Sequence, residues 1–530
     1  MDARIWTGSD KPRDREPTAL AITGNKITTM GDDKTVRRLA TDKTTIVSAG
    51  GRRIIPGMTD AHTHIVSGGF QLGLLELRGV KNREAFVARV RAAAASKHRG
   101  EWVLGGRWSV DSWSDPSPPT KAWIDDATGT TPVFLSRMDG HQALANSAAL
   151  KLAGIDDAGP PDPPGGEIVR DPQTHAPTGI LKESAMRLVA DRIPEPDIKH
   201  RLAALRQAMR HANALGITSV HDMSDPDDLP ALLRAHDDKT LTLRITAYPQ
   251  FDDWQAGMKA IKEFPVADAM LTLAGLKGYM DGSLGSRTAY MREPYTDAAP
   301  DALYPAGQLN AFASDAGAFA QNLRKVHAAG LQIAVHAIGD QANHLLLNAY
   351  ASLPRGEGAA RVRHRVEHAQ HLLVEDVPRF AKLGVIASMQ PLHKADDGRY
   401  AETALGLARL EGAYAYRKLI DSGALLIFGS DWPVVSINPM LGIDAAVNAR
   451  TLEGKVWLPS HSLTREEALS AYTRRPPEAI QRGPSLGRIE PGKLADLVIL
   501  QQDLLSVPED QIGKIQVYMT IVDGRIVFNR

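Results

Sequence analysis

Residues 57–65 read GMTDAHTHI, a short run of strand character that ends in the paired histidines His62 and His64. Alternate side chains of a strand point to the same face, so Asp60, His62 and His64 face one way and can share a cation. Imidazole and carboxylate groups suit zinc, and three protein ligands leave one position open for a water molecule. The pair alone is weak evidence in a chain with 17 histidines.

Four further residues with metal-binding or acid–base chemistry lie at or near the ends of later apolar runs. They are Lys277 in GLKGYMDG, His336 in IAVHAIGD, His368 in RVEHAQ and Asp431 in FGSDWPV. If these runs are parallel strands, their ends meet at one mouth, and the converging side chains predict a metal site there. Cysteine is absent, so any metal must be held by histidine, carboxylate or modified lysine.

Eight apolar runs bounded by Gly, Pro or Asp have the length and composition of strands. They span 57–65, 216–222, 241–249, 271–280, 331–337, 362–369, 384–390 and 424–431. Amphipathic stretches of helical period lie between them, at 199–215, 314–329 and 374–383. This alternation predicts an α/β fold, a (β/α)8 barrel of TIM type over 57–479. A doubly wound open sheet is the alternative, but the glycine-rich phosphate turn that it needs after its first strand is missing.

Two parts of the chain depart from a plain barrel. Residues 66–198 are too many for a simple crossover and contain strands of their own at 102–108 and 131–138. We therefore expect an inserted subdomain that caps the barrel mouth. The two chain ends, 1–56 and 480–530, both consist of short β segments with turn signals, and we expect them to pair as one small composite β-sandwich.

Charge and hydropathy narrow the range of partners and locations. The 62 basic and 62 acidic residues cancel, which gives no electrostatic reason to expect nucleic acid or an anionic membrane as a partner. No apolar run approaches the roughly 20 residues of a membrane span. The start of the sequence lacks a secretory signal, which favours a cytoplasmic protein. Because ARIWTG already has strand character, a removed leader and a periplasmic or secreted location stay open. A homo-oligomeric state is a separate open possibility.

The motifs, taken in order, resemble the metal-dependent amidohydrolase superfamily, specifically its amidohydrolase-3 branch, which includes N-substituted formamide deformylase-like enzymes. They run nearly from end to end: PGMTDAHTH, PVFLSRMDGHQALANSAAL, GITSVHDM, KGYMDGSLGSRTA, VHAIGDQAN, RVEHAQ, GSDWPV and GRIEPGKLADLVIL. The resemblance implies a hydrolase of carbon–nitrogen bonds other than peptide bonds. Its substrate would be a small-molecule amide, an N-acyl amine or an N-formyl compound.

The resemblance also implies roles for the predicted metal ligands. His62 and His64 would bind the more buried of two divalent metal ions, most simply zinc. His336 and His368 would bind the more exposed ion. Asp431 would bind a metal and take the proton from the attacking water, returning it to the leaving amine.

Lys277 matches a lysine that is carboxylated in binuclear relatives, where it bridges the two metals, whereas other relatives hold a single metal. An ordinary lysine paired with Asp281 or Asp431 is the alternative. A lysine inside an apolar run is costly unless it is paired or modified. The number of metals therefore stays open.

Five more residues are candidates for substrate contact, each with a structural alternative. His141 in MDGHQALANS is either a lid residue that reaches the substrate carbonyl and assists catalysis, or a structural cap. Arg287 follows the lysine strand and either hydrogen-bonds an anionic or carbonyl group or braces its own loop. Trp108, Trp113 and Trp432 are either apolar walls of the substrate site or buried structural residues.

Residues 364–368, HRVEH, match a helical zinc-peptidase motif. The alternating valines favour a strand instead, in which His364, Val366 and His368 share a face and Glu367 points away. Eight further histidines lie on predicted helices or loops and have no assigned role: His98, His175, His211, His327, His344, His371, His393 and His461.

Two other functions compete with amide hydrolysis. A deaminase of the same superfamily would release ammonia from a heterocyclic amine by the same water chemistry, but such enzymes are mostly mononuclear and do not need Lys277. A noncatalytic binding protein that kept the barrel should have lost metal ligands, whereas all six candidates are present.

Overall fold

The computed structural model describes residues 1–9, 15–110, 113–115, 117–138, 141–157, 159–250, 253–354 and 362–530. The chain divides into two compact units. The first unit combines Met1–Gly69 with Leu205–Arg530, and the second is Phe70–Ala204.

The described residues form 22 strands. In chain order they are β1 (Ala3–Ile5), β2 (Ala19–Thr23), β3 (Lys26–Gly31), β4 (Arg52–Pro56), β5 (Met58–Thr63), β6 (Leu75–Glu76), β7 (Val103–Trp108), β8 (Val133–Arg137), β9 (Gln142–Ala145), β10 (Gly166–Arg170), β11 (Pro177–Glu183), β12 (Ile217–Asp222), β13 (Arg244–Ala247), β14 (Leu271–Leu273), β15 (Gly275–Tyr279), β16 (Gln332–Ala337), β17 (Arg365–His368), β18 (Ile386–Met389), β19 (Leu425–Phe428), β20 (Leu497–Leu500), β21 (Val517–Val522) and β22 (Arg525–Asn529).

The same residues form 19 α-helices. These are α1 (Asp33–Arg37), α2 (Ile65–Leu72), α3 (Arg83–Ala95), α4 (Lys121–Thr128), α5 (Ser147–Leu152), α6 (Arg187–Ala190), α7 (Ile198–Ala214), α8 (Leu229–Asp237), α9 (Trp254–Glu263), α10 (Ala311–Ser314), α11 (Ala316–Ala328), α12 (Asp340–Ala351), α13 (Val377–Leu383), α14 (Pro391–Asp397), α15 (Ala401–Leu405), α16 (Tyr416–Asp421), α17 (Pro439–Asn448), α18 (Arg465–Tyr472) and α19 (Arg475–Ala479). None of the helices in the described part of the chain has the length and apolar character needed to cross a membrane.

Two parallel sheets make up the centre of the first unit. One has the order β14-β13-β12-β5 and the other the order β15-β16-β17-β18-β19, and helices alternate with these strands along the chain. Strands such as LLIF of β19 are buried at every position, as expected for parallel sheets covered on both faces. The predicted α/β class is therefore confirmed.

Each predicted strand run of the first unit contains a parallel strand, but the run 271–280 contains two. It divides at Ala274 into β14 and β15, which belong to different sheets. Gly275 permits this change of partner because the backbone comes so close to β16 that an added Cβ would lie 1.7 Å from the carbonyl oxygen of Gln332. The chain thus leaves one sheet and enters the other within a single apolar run.

The two parallel sheets are connected at their margins by single bridges. Thr63 bridges to Trp432, and Gln250 bridges to Lys277, both in the parallel sense. Among the described residues, continuous hydrogen-bonded ladders do not join the two sheets. The bridge between Thr63 and Trp432 nonetheless brings the end of β5 beside the segment that follows β19.

Strands from both ends of the chain share a third sheet, with the order β1-β4-β20-β21-β22. Strands β2 and β3 form an antiparallel pair, which Lys26 connects to Leu494 by an isolated bridge. Arg53 of β4 is buried and forms a two-pronged ion pair with Asp503, at 2.9 and 2.7 Å.

The second unit contains its own sheet, with the order β10-β11-β9-β8-β7-β6. The strands predicted at 102–108 and 131–138 appear there as β7 and β8, which pair in parallel. Side chains of β7, β8 and β11 pack with α3 and α4 around buried residues such as Phe86, Val103 and Leu135. The unit therefore has a hydrophobic core of its own.

Candidate metal centre

Side chains at the carboxyl ends of the parallel strands come together in the first unit. His62 lies near the end of β5, Lys277 in β15, His336 near the end of β16 and His368 at the end of β17. The His368 ring centroid lies 4.8 Å from that of His62 and 4.5 Å from that of His336. The Nζ atom of Lys277 lies 3.5 Å from Nε2 of His62.

Asp431, which follows β19, lies between two groups of histidines. Its Oδ1 atom is 3.4 Å from His62 Nε2 and 3.2 Å from His64 Nε2. Its Oδ2 atom faces the other way and is 3.9 Å from Nε2 of His393. The structure thus brings all six predicted ligands together and adds a seventh residue, His393.

Glu367 and Arg365 support His62 from inside the sheet. Nδ1 of His62 donates to Glu367 Oε2 at 2.5 Å, and Arg365 donates to both oxygens of Glu367, at 2.7 and 3.0 Å. All three side chains are buried. Since Nδ1 carries the proton that bonds the carboxylate, Nε2 of His62 keeps a free lone pair for a ligand.

The expectation that Glu367 points away from the site is wrong. Arg365 and Glu367 project to the face that carries His62, whereas His364 projects to the other face, where it bonds His327. His368 should share the face of His364, but its backbone has φ 73°, in the left-handed region, and this turns its side chain towards the site. Asp431 has φ 60°. Such conformations cost free energy and cluster at functional sites.

Hydrogen bonds also orient His336 and His368. His336 Nε2 donates to the carbonyl oxygen of Gly282 at 2.9 Å, which leaves Nδ1 as its free acceptor. His368 Nδ1 donates to Gln390 Oε1 at 2.8 Å, which leaves Nε2. Gly384 ends α13 with φ 68° and leads the chain into β18. Gln390 is the first residue after that strand.

The environment holds His336, His368 and Asp431 in the protonation states that metal binding requires. His64 differs: burial alone would lower its pKa, but the contact with Asp431 outweighs burial and raises it. Burial, with a contribution from the charge of Lys277, lowers the pKa of His336 to about 3. Burial and the neighbouring His336 hold the pKa of His368 well below its usual value. Burial alone would raise the pKa of Asp431, but contacts with His62 and His64 outweigh it and hold that pKa well below its usual range.

Lys277 is buried beside these groups, and it has no ion pair with any carboxylate in the described part of the chain. Burial lowers the pKa of its amine to about 8, although Glu367 and Asp431 act in the opposite direction. Asp281, the other proposed partner, instead accepts backbone N–H bonds from Ile338, Gly339 and Tyr290. The geometry therefore does not favour the ordinary ion-paired lysine.

Asp60 has a structural role, contrary to the expectation that it shares a cation with His62 and His64. Its Oδ1 atom accepts from the backbone N–H groups of His62 and Ser430, and its Oδ2 atom accepts from Ser430 Oγ at 2.5 Å. Gly429 lies in the same contact, where an added Cβ would be 2.3 Å from the backbone nitrogen of His62. Asp60 thus joins β5 to the segment that presents Asp431.

The donor set fits a divalent metal. Ligand atoms of His62, His64 and Asp431 lie within 4.8 Å of one another, and so do those of His368, His393 and Asp431. Neutral imidazole and ionised carboxylate are the ligands that zinc takes when thiolates are absent. The buried Nε2 atom of His393 has no hydrogen-bond partner among the described residues.

The sequence assigns no role to His393, because this residue lies beyond the strand, on α14. Its signal was its position three residues after Gln390, at the carboxyl end of the predicted strand 384–390. That end of a parallel strand faces the same mouth as the other candidate ligands.

The indole rings of two predicted substrate walls lie in the core of the second unit. Trp108 is 1% exposed and donates from Nε1 to the carbonyl oxygen of Leu135. Trp113 is 7% exposed and donates from Nε1 to the carbonyl oxygen of Val80. Both contacts favour the structural alternative.

Trp432 and Arg287 lie in the first unit, and their contacts also favour structural roles. The Trp432 ring is buried against Gly68, where an added Cβ would lie 2.2 Å away. Arg287 bonds both oxygens of Asp297, at 3.0 and 2.5 Å, and donates to the carbonyl oxygen of Leu284. It therefore braces its own loop.

His141 lies on the surface of the second unit. Its Nδ1 atom lies 3.0 Å from Glu183 Oε1, and its side chain is 70% exposed. This contact does not test the lid role of His141, which stays a prediction.

Comparison with known proteins gives a consistent family. The model of the group described as Amidohydrolase family matches residues 45–528. The chain is 35% identical over 496 residues to Protein LONG AFTER FAR-RED 3 of Arabidopsis thaliana, covering 91% of this chain and 83% of that one. It is 26% identical over 526 residues to N-substituted formamide deformylase of Arthrobacter pascens, covering 97% and 95%.

The fold has a similar counterpart among solved structures. An uncharacterized metal-dependent hydrolase from Pyrococcus furiosus superimposes with a TM-score of 0.77 and 28% sequence identity. The match covers 96% of this chain and 99% of that chain.

Proposed function

The chain belongs to the amidohydrolase family, and on that premise we propose that it is a metal-dependent hydrolase that cleaves a carbon–nitrogen bond of an amide-type small molecule. The observation that carries the proposal is Asp431, whose Oδ1 atom faces His62 and His64 and whose Oδ2 atom faces His393. The name of the Arthrobacter relative supports an N-formyl or N-acyl amine as the substrate class.

His62 and His64, with Asp431, would hold one metal ion, and His336 and His368 would hold a second. The ligand atoms in this proposal are Nε2 of His62, Nε2 of His368 and Nδ1 of His336. Zinc fits this donor set.

Lys277 would be carboxylated and lie between the two ions. Its support is threefold: the amine is buried, it has no ion pair among the described residues, and its lowered pKa leaves part of it neutral and able to react with carbon dioxide. A carboxylated lysine would also supply negative charge between two cations that otherwise repel each other.

The architecture that we propose for this chemistry is a (β/α)8 barrel formed by the two parallel sheets over 57–479. Single bridges at Thr63 and Lys277 support closure of the sheets. The terminal segments would form a β-sandwich, and residues 66–198 would form a cap whose His141 reaches the substrate carbonyl.

A divalent metal bound here would supply a water of lowered pKa as nucleophile and polarise the substrate carbonyl. Asp431 accepts the proton of the attacking water and returns it to the leaving amine, a contribution of roughly 10²–10⁴-fold. Glu367 and Arg365 hold His62 in the tautomer that leaves Nε2 free.

The test is metal analysis followed by a panel of N-formyl amines, N-acyl amines and heterocyclic amines. We expect one to two equivalents of divalent metal, activity on the acyl or formyl amines, and loss of that activity with a chelator. Full activity without metal would contradict the proposal. Ammonia release from a heterocyclic amine alone would support the deaminase in its place.

A further inference from the structure

We propose that His393 is a ligand of the second metal ion, which it holds together with His368 and Asp431. This inference rests on the proposed metal-dependent function. It extends that function because His393 is not one of the six metal ligands that the sequence predicts. The site would take a divalent cation that prefers nitrogen and oxygen donors, such as zinc.

The first support is the geometry of the three side chains. Their ligand atoms lie within 4.8 Å of one another. The rings of His368 and His393 are nearly parallel, with an angle of 11° and centroids 6.0 Å apart. Asp431 turns Oδ2 towards His393 and Oδ1 towards His62 and His64, so one carboxylate faces two separate groups of imidazoles.

The second support is the unpartnered nitrogen of His393. Its Nε2 atom is buried, and no hydrogen-bond partner for it exists among the described residues. A buried polar atom without a partner costs roughly 1–3 kcal/mol, so such atoms in native structures need an explanation. The 3.9 Å to Asp431 Oδ2 is too long for a hydrogen bond. A cation between the two atoms would satisfy both.

The third support is the way in which one short segment supplies two parts of the site. Gln390 bonds Nδ1 of His368 at 2.8 Å and directs the Nε2 atom of that ring to the ligand position. Pro391 starts α14 immediately afterwards, and His393 lies in its first turn. The segment 390–393 therefore fixes one candidate ligand and contributes another.

The experiment measures metal binding and not turnover. Purified protein is stripped with a chelator and titrated with zinc against a chromogenic competitor, and metal content is measured in parallel for wild type, His393→Gln and a control, His236→Gln. His236 is a partly exposed histidine of α8 that bonds Asp268. Circular dichroism and the melting temperature of the metal-free proteins report folding.

We expect two bound zinc ions in wild type and in the control. In His393→Gln, only one of the two zinc ions should lose affinity, by at least about tenfold, which is the smallest loss usual for residues that support a metal site. The other zinc should keep its affinity. Titration with cobalt should show a changed visible absorption for the second ion. Two ions bound with unaltered affinities in His393→Gln would overturn the role of His393. A wild-type protein that binds no divalent metal would overturn the proposed function itself.

Discussion

Glu367 and His62 are joined by a hydrogen bond of 2.5 Å in the interior of the first unit, with Arg365 on the far side of the carboxylate. Burial alone would raise the pKa of Glu367, but the charge of Arg365 and the contact with His62 hold that pKa well below its usual value. The glutamate is therefore ionised, and it both orients the imidazole and balances a buried guanidinium.

Glu367→Gln should weaken the metal site that contains His62 and destabilise the fold. The amide cannot replace the charge that Arg365 and His62 face, so we expect metal affinity to fall by about 10–100-fold. Loss of one member of a buried ion pair should lower the free energy of unfolding by about 3–5 kcal/mol. Metal titration and urea denaturation measure the two effects. The control is Glu375→Gln, at an exposed pair with Arg292, which should change stability by no more than about 1 kcal/mol.

Gly429→Ala should disturb the site without changing any candidate ligand. An added methyl group would lie 2.3 Å from the backbone nitrogen of His62 and 2.8 Å from Asp60 Oδ1, so β5 and the Asp431 segment must move apart. We expect a stability loss of about 1–3 kcal/mol and weaker metal binding.

Gly31→Ala is the matched control for that variant, because its new Cβ would meet only Thr35, at 4.0 Å. Thermal unfolding and zinc titration of both variants test the expectation. Equal stability of the two variants would show that the contact between β5 and the Asp431 segment has room to spare.

The strand ends that carry the candidate ligands could be predicted because parallel strands buried on both faces read as apolar runs, and a polar residue at the end of such a run stands out. The side on which Glu367 lies could not be predicted. Glu367 shares the face of Arg365, and the left-handed backbone of His368 turns the His368 side chain to that face, a conformation that no neighbouring glycine signals. Alternation along HRVEH therefore gave the wrong face.

Other features depend on contacts between segments far apart in the chain. The division of 271–280 follows from the close approach of Gly275 to Gln332, which one run of sequence cannot show. The two oxygens of Asp60 are used by Ser430, 370 positions later. His393 lies one turn into a helix, where the periodicity of the strand no longer indicates its direction.

Asp431→Asn should lower kcat by at least about 10²-fold with a modest change in KM. The amide keeps the shape of the carboxylate but cannot accept the proton of the attacking water. Steady-state kinetics on the best acyl-amine substrate measure this effect, with metal content determined on the same preparation. Normal turnover in a metal-replete variant would assign the proton acceptor to another group.

His141→Ala should lower turnover on acyl amines and leave metal content unchanged, since the proposed lid residue contacts the substrate and not the metal. His98→Ala, at another exposed histidine of the second unit, is the control. Kinetics with several substrates distinguish the roles: if His141→Ala and His98→Ala behave alike on every substrate, His141 is a surface residue that pairs with Glu183.

Lys277→Ala should lose one or both metals, and with them most of its activity, because a carboxylated lysine would provide the negative charge between the two cations. A short carboxylic acid added to the variant should restore part of both by standing in for the missing bridge. Lys493→Ala removes another buried lysine, one that bonds the carbonyl oxygens of Gly483 and Pro484, and should keep its metals. Intact-mass analysis under native conditions should find the carboxyl group on the wild type and on Lys493→Ala, but not on Lys277→Ala. An unmodified Lys277 beside a single bound metal would instead establish the mononuclear site, in which Asp431 and a histidine activate the water without a bridge.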